Sequence, residues 1–289
     1  MNKHVFIVLL SILGLIPVSL FSRSRVVNDT IFSKKLNTER VCSIYLPPSY
    51  GEVPEKKYPV LYLFHGMSQT NQDWVWRGHV QEVADRLIYA QEASEMIIVM
   101  PNAGGDIYKE VWNGFFNMPG WLYEDFFFEE FLPYVESKYN VIGNKENRAV
   151  AGLSMGGGGA TGYGLWHADM FASVYAMSAL MSIPEEGAAR FENPDSKLAI
   201  LTRAVIDRSC IKRVSEADAN TIQALKSVRW FVDCGDDDFL LDRNIEFFQA
   251  MRKAGISCQF RVRDGGHDWE YWHSALYMCL PFVSKTFDK

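Results

Sequence analysis

The chain has 289 residues, of which 48% are hydrophobic and 14% aromatic, and its formal net charge at pH 7 is -6. A chain of this length and apolar content can bury a large core as one domain. No Lys/Arg-rich run is present that could follow a phosphate backbone. The composition therefore excludes a typical nucleic-acid-binding protein.

The N-terminal segment differs in composition from the rest of the chain. Lys3 precedes an uncharged apolar stretch over residues 5–21, and "SRSR" follows it. A basic start, an apolar middle and a small-residue exit near Ser22 or Ser24 are typical of a signal peptide. We therefore expect residues 1–24 to be removed and the mature protein to be secreted or periplasmic, without stable membrane association. An uncleaved membrane anchor is the alternative, although a spanning helix needs about 20 apolar residues.

Segments typical of strands and helices alternate along the rest of the chain. Predicted strands cover residues 40–47, 58–66, 96–105, 147–154, 172–179, 228–235 and 256–265, and predicted helices cover residues 80–92, 124–139 and 243–255. Several of these strands are continuous apolar runs, as expected for a sheet that is covered on both faces. The alternation predicts one α/β domain over residues 25–289, with a mostly parallel sheet and helices on both faces. Residues 183–227 interrupt it and are expected to form short helices, as a cap-like insertion over the site.

One short motif after the strand predicted at residues 147–154 indicates nucleophilic catalysis. Gly152, Ser154 and Gly156 fit the pattern G-x-S-x-G, and a helical segment follows. A nucleophilic serine on a sharp strand-to-helix turn needs small neighbours, and the amide of Met155 can then donate to a developing oxyanion. The pattern is short, and a glycine-rich turn can also serve tight packing alone. Its position between a strand and a helix favours catalysis.

A nucleophilic serine needs a histidine base, which on a parallel sheet is expected to follow a later strand. Of the six histidines, His167, His267 and His273 follow Ser154. His167 and His273 fall in helical segments. His267, in "RDGGHDW", is in a loop directly after the last predicted strand. We therefore predict that His267 is the base.

The acid that orients this histidine is expected after the preceding strand, in "VRWFVDCGDDDFLLDRN". Asp233, Asp236, Asp237 and Asp238 compete for this role. Asp233 is still within the predicted strand, whereas Asp238 lies furthest into the loop. We favour Asp238, followed by Asp237. The remaining aspartates fit a solvated acidic turn or a helix N-cap.

An oxyanion hole needs a second backbone amide, from the loop after an early strand. "LFHGMSQTNQDW" supplies such a loop, in which Gly66 allows the turn and Met67 N–H is the expected donor beside Met155 N–H. His65 precedes the serine in the chain, so we expect it to shape this loop or to contact substrate.

Aromatic residues are frequent between residues 106 and 121 and after His267, and aromatic faces can stack on a sugar ring or a phenolic acyl group. Core packing is the alternative for each of them. The residues expected to contact substrate are His65, Trp112, Phe115, Trp121 and Trp269.

Five motifs, "SIYLPPSY", "PVLYLFHGMSQTNQDW", "AVAGLSMGGGGA", "CGDDDFLLDRN" and "GGHDWEYWHSAL", together resemble the esterase D-like branch of the α/β-hydrolases. The resemblance extends from about Val41 to the C-terminus. It implies a Ser-Asp-His triad on Ser154, Asp238 and His267, with the amides of Met67 and Met155 as the oxyanion hole. It implies no metal and no organic cofactor. The run of three aspartates leaves the register of the acid open between Asp237 and Asp238.

This branch includes feruloyl, acetylxylan and short-chain esterases, S-formylglutathione hydrolases and mycolyltransferases. The resemblance, together with export, implies a serine carboxylesterase that acts on acetyl, feruloyl or short acyl esters of plant polysaccharide. The expected partner is thus a small-molecule or polysaccharide ester, and no nucleic acid. The alternatives are an acyltransferase that moves the acyl group to a sugar hydroxyl, and a non-catalytic carbohydrate-binding protein on the same fold. The sequence predicts no oligomeric state.

Overall fold

The computed structural model describes residues 23–287, so most of the predicted signal peptide lies outside the described residues. The strands of this part of the chain are β1 (Arg25–Ser33), β2 (Thr38–Leu46), β3 (Val60–Phe64), β4 (Ile97–Pro101), β5 (Asn117–Met118), β6 (Trp121–Leu122), β7 (Arg148–Leu153), β8 (Ser173–Met177), β9 (Arg229–Gly235) and β10 (Cys258–Arg263). Its α-helices are α1 (Asp73–Trp76), α2 (Val80–Tyr89), α3 (Tyr123–Phe126), α4 (Leu132–Lys138), α5 (Ser154–Trp166), α6 (Lys197–Asp207), α7 (Cys210–Ser215), α8 (Ala219–Leu225), α9 (Leu241–Lys253) and α10 (Trp269–Phe287). None of these helices has both the length and the apolar character that a bilayer crossing requires.

Eight of these strands form one sheet, in the order β1-β2-β4-β3-β7-β8-β9-β10. The six strands from β4 to β10 in this order are parallel, while β2 runs antiparallel to both of its neighbours. The remaining two, β5 and β6, form a separate hairpin. The predicted α/β fold with a mostly parallel sheet is confirmed. The sequence did not predict β1, because this edge strand is largely exposed and contains Asn28 and Asp29, which are unfavourable in strands.

The central strands separate two hydrophobic cores, because successive side chains point to opposite faces of the sheet. Tyr62 and Phe64 of β3 pack in the core on the α5 side. Leu61 and Leu63 of the same strand pack in the other core, with residues of α2 and α10. All five residues of β3 are buried, which explains their continuous apolar run.

The helix predicted at residues 124–139 forms as α3, a π-helical turn over Phe127–Phe131 and α4, without a break in the chain. Pro133 lies in the first turn of α4, directly after this wider turn. A proline inside a helix has no N–H to donate, and its ring clashes with the carbonyl group one turn earlier, so the helix must be irregular there. The helix thus accommodates Pro133 with a π-helical turn that directly precedes it.

Residues 183–227 form a 3₁₀ turn at Glu185–Arg190 and the helices α6, α7 and α8. Their N-caps carry the expected side chains, since Ser196, Ser209 and Asp218 each accept a hydrogen bond from an amide of the first turn. One face of α6 borders the cavity beside Ser154 that is described below.

Candidate active site

Ser154 lies at the junction of β7 and α5, where the chain reverses its direction sharply. Leu153 is extended, and Ser154 has a φ of +54°, in the left-handed region that residues with a side chain rarely adopt. The turn depends on close approach of the backbone around it. A Cβ atom on Gly152 would lie 2.3 Å from the Gly156 carbonyl oxygen, and one on Gly156 would lie 2.3 Å from the His65 carbonyl oxygen. These glycines allow the helix to start directly against the strands, with the Ser154 hydroxyl at its tip.

His267 and Asp238 reach Ser154 from the loops after β10 and β9. These strands are parallel neighbours, so their carboxyl ends meet at one edge of the sheet. His267 Nε2 lies 3.0 Å from Ser154 Oγ, and His267 Nδ1 lies 2.9 Å from Asp238 Oδ2. The three side chains therefore form a continuous hydrogen-bonded chain, although Ser154 and His267 are 113 residues apart in sequence.

The aspartates of this loop have different surroundings. Asp238 is buried and meets His267, whereas Asp237 is exposed to solvent. Asp236 accepts a hydrogen bond from Gly265 N–H and so ties the two loops together. Asp233 is fully buried and binds Arg261. The geometry thus favours Asp238 over Asp237 as the partner of His267.

Hydrogen bonds keep the buried Asp238 carboxylate in its charged form. Burial alone would raise the pKa of Asp238, but donors outweigh it and lower the pKa below its usual value. These donors are His267, the Leu240 amide at 2.8 Å and the Ser178 hydroxyl. A carboxylate that stays charged beside His267 Nδ1 holds a proton on that nitrogen and leaves Nε2 free to accept one from Ser154.

The loop after β3 carries Met67 next to the same cavity as Ser154 and Met155. The Met155 amide is in the first turn of α5, where helix amides have no intrahelical acceptor. Within residues 23–287 the Met67 amide also has no hydrogen-bond acceptor. The structure thus places Met67 and Met155, the residues whose amides are the predicted donors, at the same cavity as Ser154.

His65 fixes the peptide group that carries the Met67 amide. The Ala103 amide donates to His65 Nε2 at 3.0 Å, so the ring proton is on Nδ1, which donates to the Gly66 carbonyl oxygen at 2.8 Å. Burial lowers the pKa of His65 to about 4 and keeps the ring neutral. In a trans peptide the C=O and N–H groups point in opposite directions, so this hydrogen bond orients Met67 N–H.

An apolar cavity of about 220 Å³ opens beside Ser154, between the β7–α5 turn, α6 and the loop after β9. Its lining is aliphatic except for one aromatic ring and two hydroxyl-bearing side chains; the residues are Met67, Ser154, Met155, Leu180, Ile183, Leu198, Leu201, Thr202, Val205, Phe239 and Leu240. Phe239 is 75% exposed and its ring lies 4.5 Å from that of His267. The cavity can hold an apolar group while Ser154 reaches its end.

The structure does not bring the predicted substrate-contact residues to this cavity. His65, Phe115, Trp121 and Trp269 are buried in the core, where they pack against neighbouring rings. Trp112 is half-buried, stacks on Trp121 and does not line the cavity. The expectation of direct substrate contact therefore does not hold for the four buried side chains, because their surfaces are covered by protein.

Sequence reasoning missed the residues that form the cavity wall. Leu198, Leu201 and Val205 recur on α6 at the spacing of one helix face, inside the segment that interrupted the strand–helix alternation. Phe239 directly follows Asp238, so its position in the loop was a usable signal. Ser178 and Trp272 were also missed, because only the folded chain shows their contacts with Asp238 and His267.

Comparison with known proteins gives consistent results. The chain matches the Esterase family model over residues 33–283, a range that includes Ser154, Asp238 and His267. The solved structure of a ferulic acid esterase is 66% identical to it, with a TM-score of 0.89 over 92% of this chain and 99% of that chain.

More distant curated relatives also cleave esters according to their names. An acetyl esterase of Caldicellulosiruptor saccharolyticus is 24% identical over 283 residues, which cover 89% of this chain and 97% of that protein. The endo-1,4-beta-xylanase/feruloyl esterase of Xylanibacter ruminicola is 25% identical over 253 residues, which cover 86% of this chain but 30% of that longer protein.

Proposed function

The chain belongs to the esterase family, and from that premise we propose that it hydrolyses feruloyl and related hydroxycinnamoyl esters through Ser154, His267 and Asp238. The observation that carries the proposal is the hydrogen-bonded chain of these three side chains at the end of an apolar cavity. A serine, a histidine and a carboxylate in this arrangement activate the hydroxyl for attack on an acyl carbon.

In the acylation step, His267 Nε2 takes the proton of Ser154 as Oγ attacks the ester carbonyl carbon. The carbonyl oxygen becomes negative and accepts hydrogen bonds from the amides of Met67 and Met155. The bond between the acyl carbon and the alcohol oxygen then breaks. His267 returns the proton to that oxygen, so the alcohol leaves neutral and the acyl group stays on Ser154.

Water completes the reaction along the same path. His267 Nε2 takes a proton from water as the water oxygen attacks the acyl carbon, and the same two amides bind the oxyanion. The bond to Ser154 Oγ breaks, Oγ recovers its proton from His267, and the free acid leaves. Asp238 stays ionised throughout and stabilises the imidazolium that forms twice in each cycle.

The cavity supports an aromatic acyl group over an acetyl group. A dry apolar cavity of about 150 Å³ is large enough to bind benzene, and the cavity beside Ser154 measures about 220 Å³. An acetyl group would leave most of this apolar surface uncovered. The 66% identical ferulic acid esterase supports the same choice.

We further propose that the natural ester is attached to a plant polysaccharide and that residues 1–24 direct export of the enzyme. Phe239 stands exposed at the mouth of the cavity, where a sugar on the alcohol side of the ester could stack against it. N-terminal sequencing of the protein from the host's periplasm or medium tests export. A mature N-terminus near residue 25 is expected, and an intact Met1 would contradict the proposal.

The activity is tested with purified mature protein on methyl ferulate, p-nitrophenyl acetate, acetylated xylan and feruloylated arabinoxylan, next to Ser154→Ala and Asp238→Asn. We expect kcat/KM to be highest for the feruloyl esters. Ser154→Ala is expected to remove activity by a factor of about 10⁴ or more, because the nucleophile is absent. Feruloyl release that survives Ser154→Ala would rule out the mechanism.

Two other results would redirect the assignment. If the enzyme clearly prefers acetylated xylan, the serine mechanism still holds, but the acyl group of the natural substrate is acetyl and not feruloyl. Formation of a new ester when a sugar acceptor is added, at a rate above that of hydrolysis, would identify an acyltransferase instead.

A further inference from the structure

Ser178 lies behind the Asp238 carboxylate, in the loop that follows β8. Its side chain is fully buried, and its φ of +45° places the backbone in the left-handed region. This conformation is unfavourable for a residue with a Cβ atom and persists only where the surroundings hold it. Here the Ser178 amide donates to the Asp233 carbonyl oxygen at 2.7 Å, which fixes the loop to β9.

Trp272 determines the direction in which the Ser178 hydroxyl donates. Trp272 Nε1 lies 3.0 Å from Ser178 Oγ, and an indole N–H can only donate. Ser178 Oγ must therefore accept this bond, so its single proton is available to another acceptor. The Asp238 carboxylate is the acceptor for this proton, because Ser178 is one of the neighbours that lower the pKa of Asp238.

Cys234 is the other neighbour of this hydroxyl. Burial, together with the nearby carboxylates of Asp238 and Asp233, raises the pKa of the Cys234 thiol, so its sulfur stays neutral. A neutral sulfur is a weak acceptor, whereas a carboxylate accepts a strong, charge-assisted hydrogen bond. The proton of Ser178 thus goes to Asp238.

Trp272 also contacts the base. Its ring meets that of His267 edge to face, at 4.9 Å and 89°. Phe239 also contacts His267, at 4.5 Å between ring centroids, but is largely exposed. Trp272 is thus the buried support of the imidazole and, through Ser178, a support of the carboxylate.

We propose that Ser178 and Trp272 are positioning residues for the reaction, which together hold Asp238 and His267 in the geometry that proton transfer requires. The inference rests on the proposed function, in which Asp238 and His267 act on Ser154. Ser178 acts on Asp238 beside the hydrogen bonds from His267 and Leu240, and Trp272 packs against the His267 ring. Neither residue has to touch the substrate.

The test compares Ser178→Ala, Ser178→Gly and Trp272→Phe with the wild type on methyl ferulate. Both serine variants lack the hydroxyl, and the glycine also relieves the left-handed backbone. The phenylalanine keeps a ring beside His267 but lacks the N–H. In all three we expect kcat to fall about tenfold and KM to stay within about twofold, because a group that only aligns the proton transfer acts on the transition state.

Thermal unfolding separates positioning from folding. Ser178→Gly is expected to unfold at the same temperature as Ser178→Ala or higher, yet to be as slow in catalysis. A Ser178→Gly enzyme with wild-type kcat would overturn the proposal. If neither serine variant folds, the test depends on Trp272→Phe alone. A lowered kcat would then support the proposal, and an unchanged kcat would overturn it.

Trp269→Phe is the matched control. Trp269 is a buried core residue next to Trp272, and within residues 23–287 its indole nitrogen has no hydrogen-bond partner. Its N–H can thus be removed without loss of a hydrogen bond, and kcat is expected to stay within about twofold of wild type. An equal loss of kcat in Trp269→Phe and Trp272→Phe would overturn the proposed role of the Trp272 N–H.

A double-mutant cycle tests whether the two residues act together. Since the Trp272 N–H acts through the Ser178 hydroxyl, Ser178→Ala with Trp272→Phe is expected to be no slower than Ser178→Ala alone. If the losses of kcat in the two single variants multiply in the double variant, the two residues act independently. That result would overturn the proposed coupling between Ser178 and Trp272.

Asp238→Asn, measured in parallel, separates this inference from the proposed function. An inactive Asp238→Asn with fully active Ser178 variants would reject only the inference. A fully active Asp238→Asn would reject the proposed function and the inference with it.

Discussion

Single residues in this site owe their protonation and direction to a few neighbours each. His65 is neutral and donates to the Gly66 carbonyl because it is buried and because Ala103 occupies its other nitrogen. Asp238 stays charged because three donors meet it. The sequence already favoured Asp238 as the partner of His267, and the burial and direction of the side chains support it over Asp237.

His65 makes stability depend on pH in a defined window. Its pKa falls from 6.5 to about 4 on folding, mainly because of burial. As the pH drops from 6.5 to 4 the unfolded chain takes up a proton that the folded chain does not, so the free energy of unfolding decreases. The loss attributable to His65 is about 3 kcal/mol. Above pH 6.5 His65 is neutral in both the folded and the unfolded chain, so it no longer makes the free energy of unfolding depend on pH.

Urea unfolding of the wild type and of His65→Asn between pH 4 and pH 7 measures this contribution. Asparagine can still donate toward the Gly66 carbonyl but does not titrate. We expect a shallower decline of the free energy of unfolding in the variant. Parallel declines would contradict the assigned protonation state of His65.

The cavity wall offers a test of acyl-group choice at one residue. Leu198 lines the cavity from α6 and is only partly buried, so a larger side chain can enter the cavity without disrupting the core. For Leu198→Trp we expect kcat/KM on methyl ferulate to fall about tenfold or more, while p-nitrophenyl acetate is affected about threefold at most. Steady-state kinetics with both esters provides the measurement.

Ile200→Trp is the control for this substitution. Ile200 is on the same helix and is also partly buried, but it lies beside a different surface depression, away from Ser154. It is expected to leave the ratio of the two activities unchanged. An equal loss on both esters in Leu198→Trp would argue against an acyl role for the cavity.

Among the elements, α5 determines the position of Ser154, the proposed nucleophile. Its four consecutive glycines are buried, and the helix packs against the carboxyl ends of the neighbouring strands. A Cβ on Gly158 would lie 2.2 Å from the Leu180 carbonyl oxygen. The glycine run thus allows close packing of α5 as well as exposure of Ser154. The two interpretations of the motif, a catalytic turn and a tightly packed turn, are therefore compatible.

Gly156→Ala tests this packing. The added methyl would meet the backbone of the oxyanion loop at His65, which has little room to move. We expect a destabilisation of about 1 to 3 kcal/mol from overpacking, with reduced activity because Ser154 and Met67 both shift. Chemical denaturation and ester hydrolysis of the variant measure the two effects.

Gly266→Ala is the control for stability. A Cβ at this position would have only an ordinary contact, 3.6 Å from an Asp268 oxygen. Its free energy of unfolding is expected to match the wild type. A Gly156→Ala protein as stable as Gly266→Ala would refute the close-packing explanation.

Over the whole molecule, Asp233 ties one side of the sheet together. This fully buried carboxylate accepts hydrogen bonds from Tyr175 of β8, Tyr271 of α10 and Arg261 of β10. These elements carry or flank the loops of Ser178, Asp238 and His267. The network thus links the stability of the sheet edge to the geometry of the site.

Asp233→Asn is expected to destabilise the protein by about 2 to 4 kcal/mol, because the buried carboxylate is lost while the two arginines paired with it, Arg261 and Arg263, stay. Glu246→Gln, which breaks the exposed pair with Arg243, should change stability by less than about 0.5 kcal/mol. Urea unfolding of both variants measures the contrast. Equal effects would show that the Asp233 network adds no more than a surface ion pair.

The fold class, the esterase family and the chain order of the proposed reactive residues could all be predicted from the amino-acid sequence. Buried strands appear as apolar runs, and the turn at Ser154 needs glycines beside it. Both features can therefore be recognised in a short stretch of sequence. The six parallel strands and the match to the Esterase family agree with these predictions.

Contacts between residues that are distant in sequence depend on how the whole chain packs. The parallel pairing of β9 and β10 brings Asp238 to His267. Helix α6 forms one wall of an apolar cavity that no local sequence pattern predicted. The same packing buries Phe115, Trp121 and Trp269, which composition alone could not distinguish from ligand-stacking rings. Hydrophobic period and turn chemistry act over a few residues, whereas strand order and side-chain packing join residues more than a hundred positions apart.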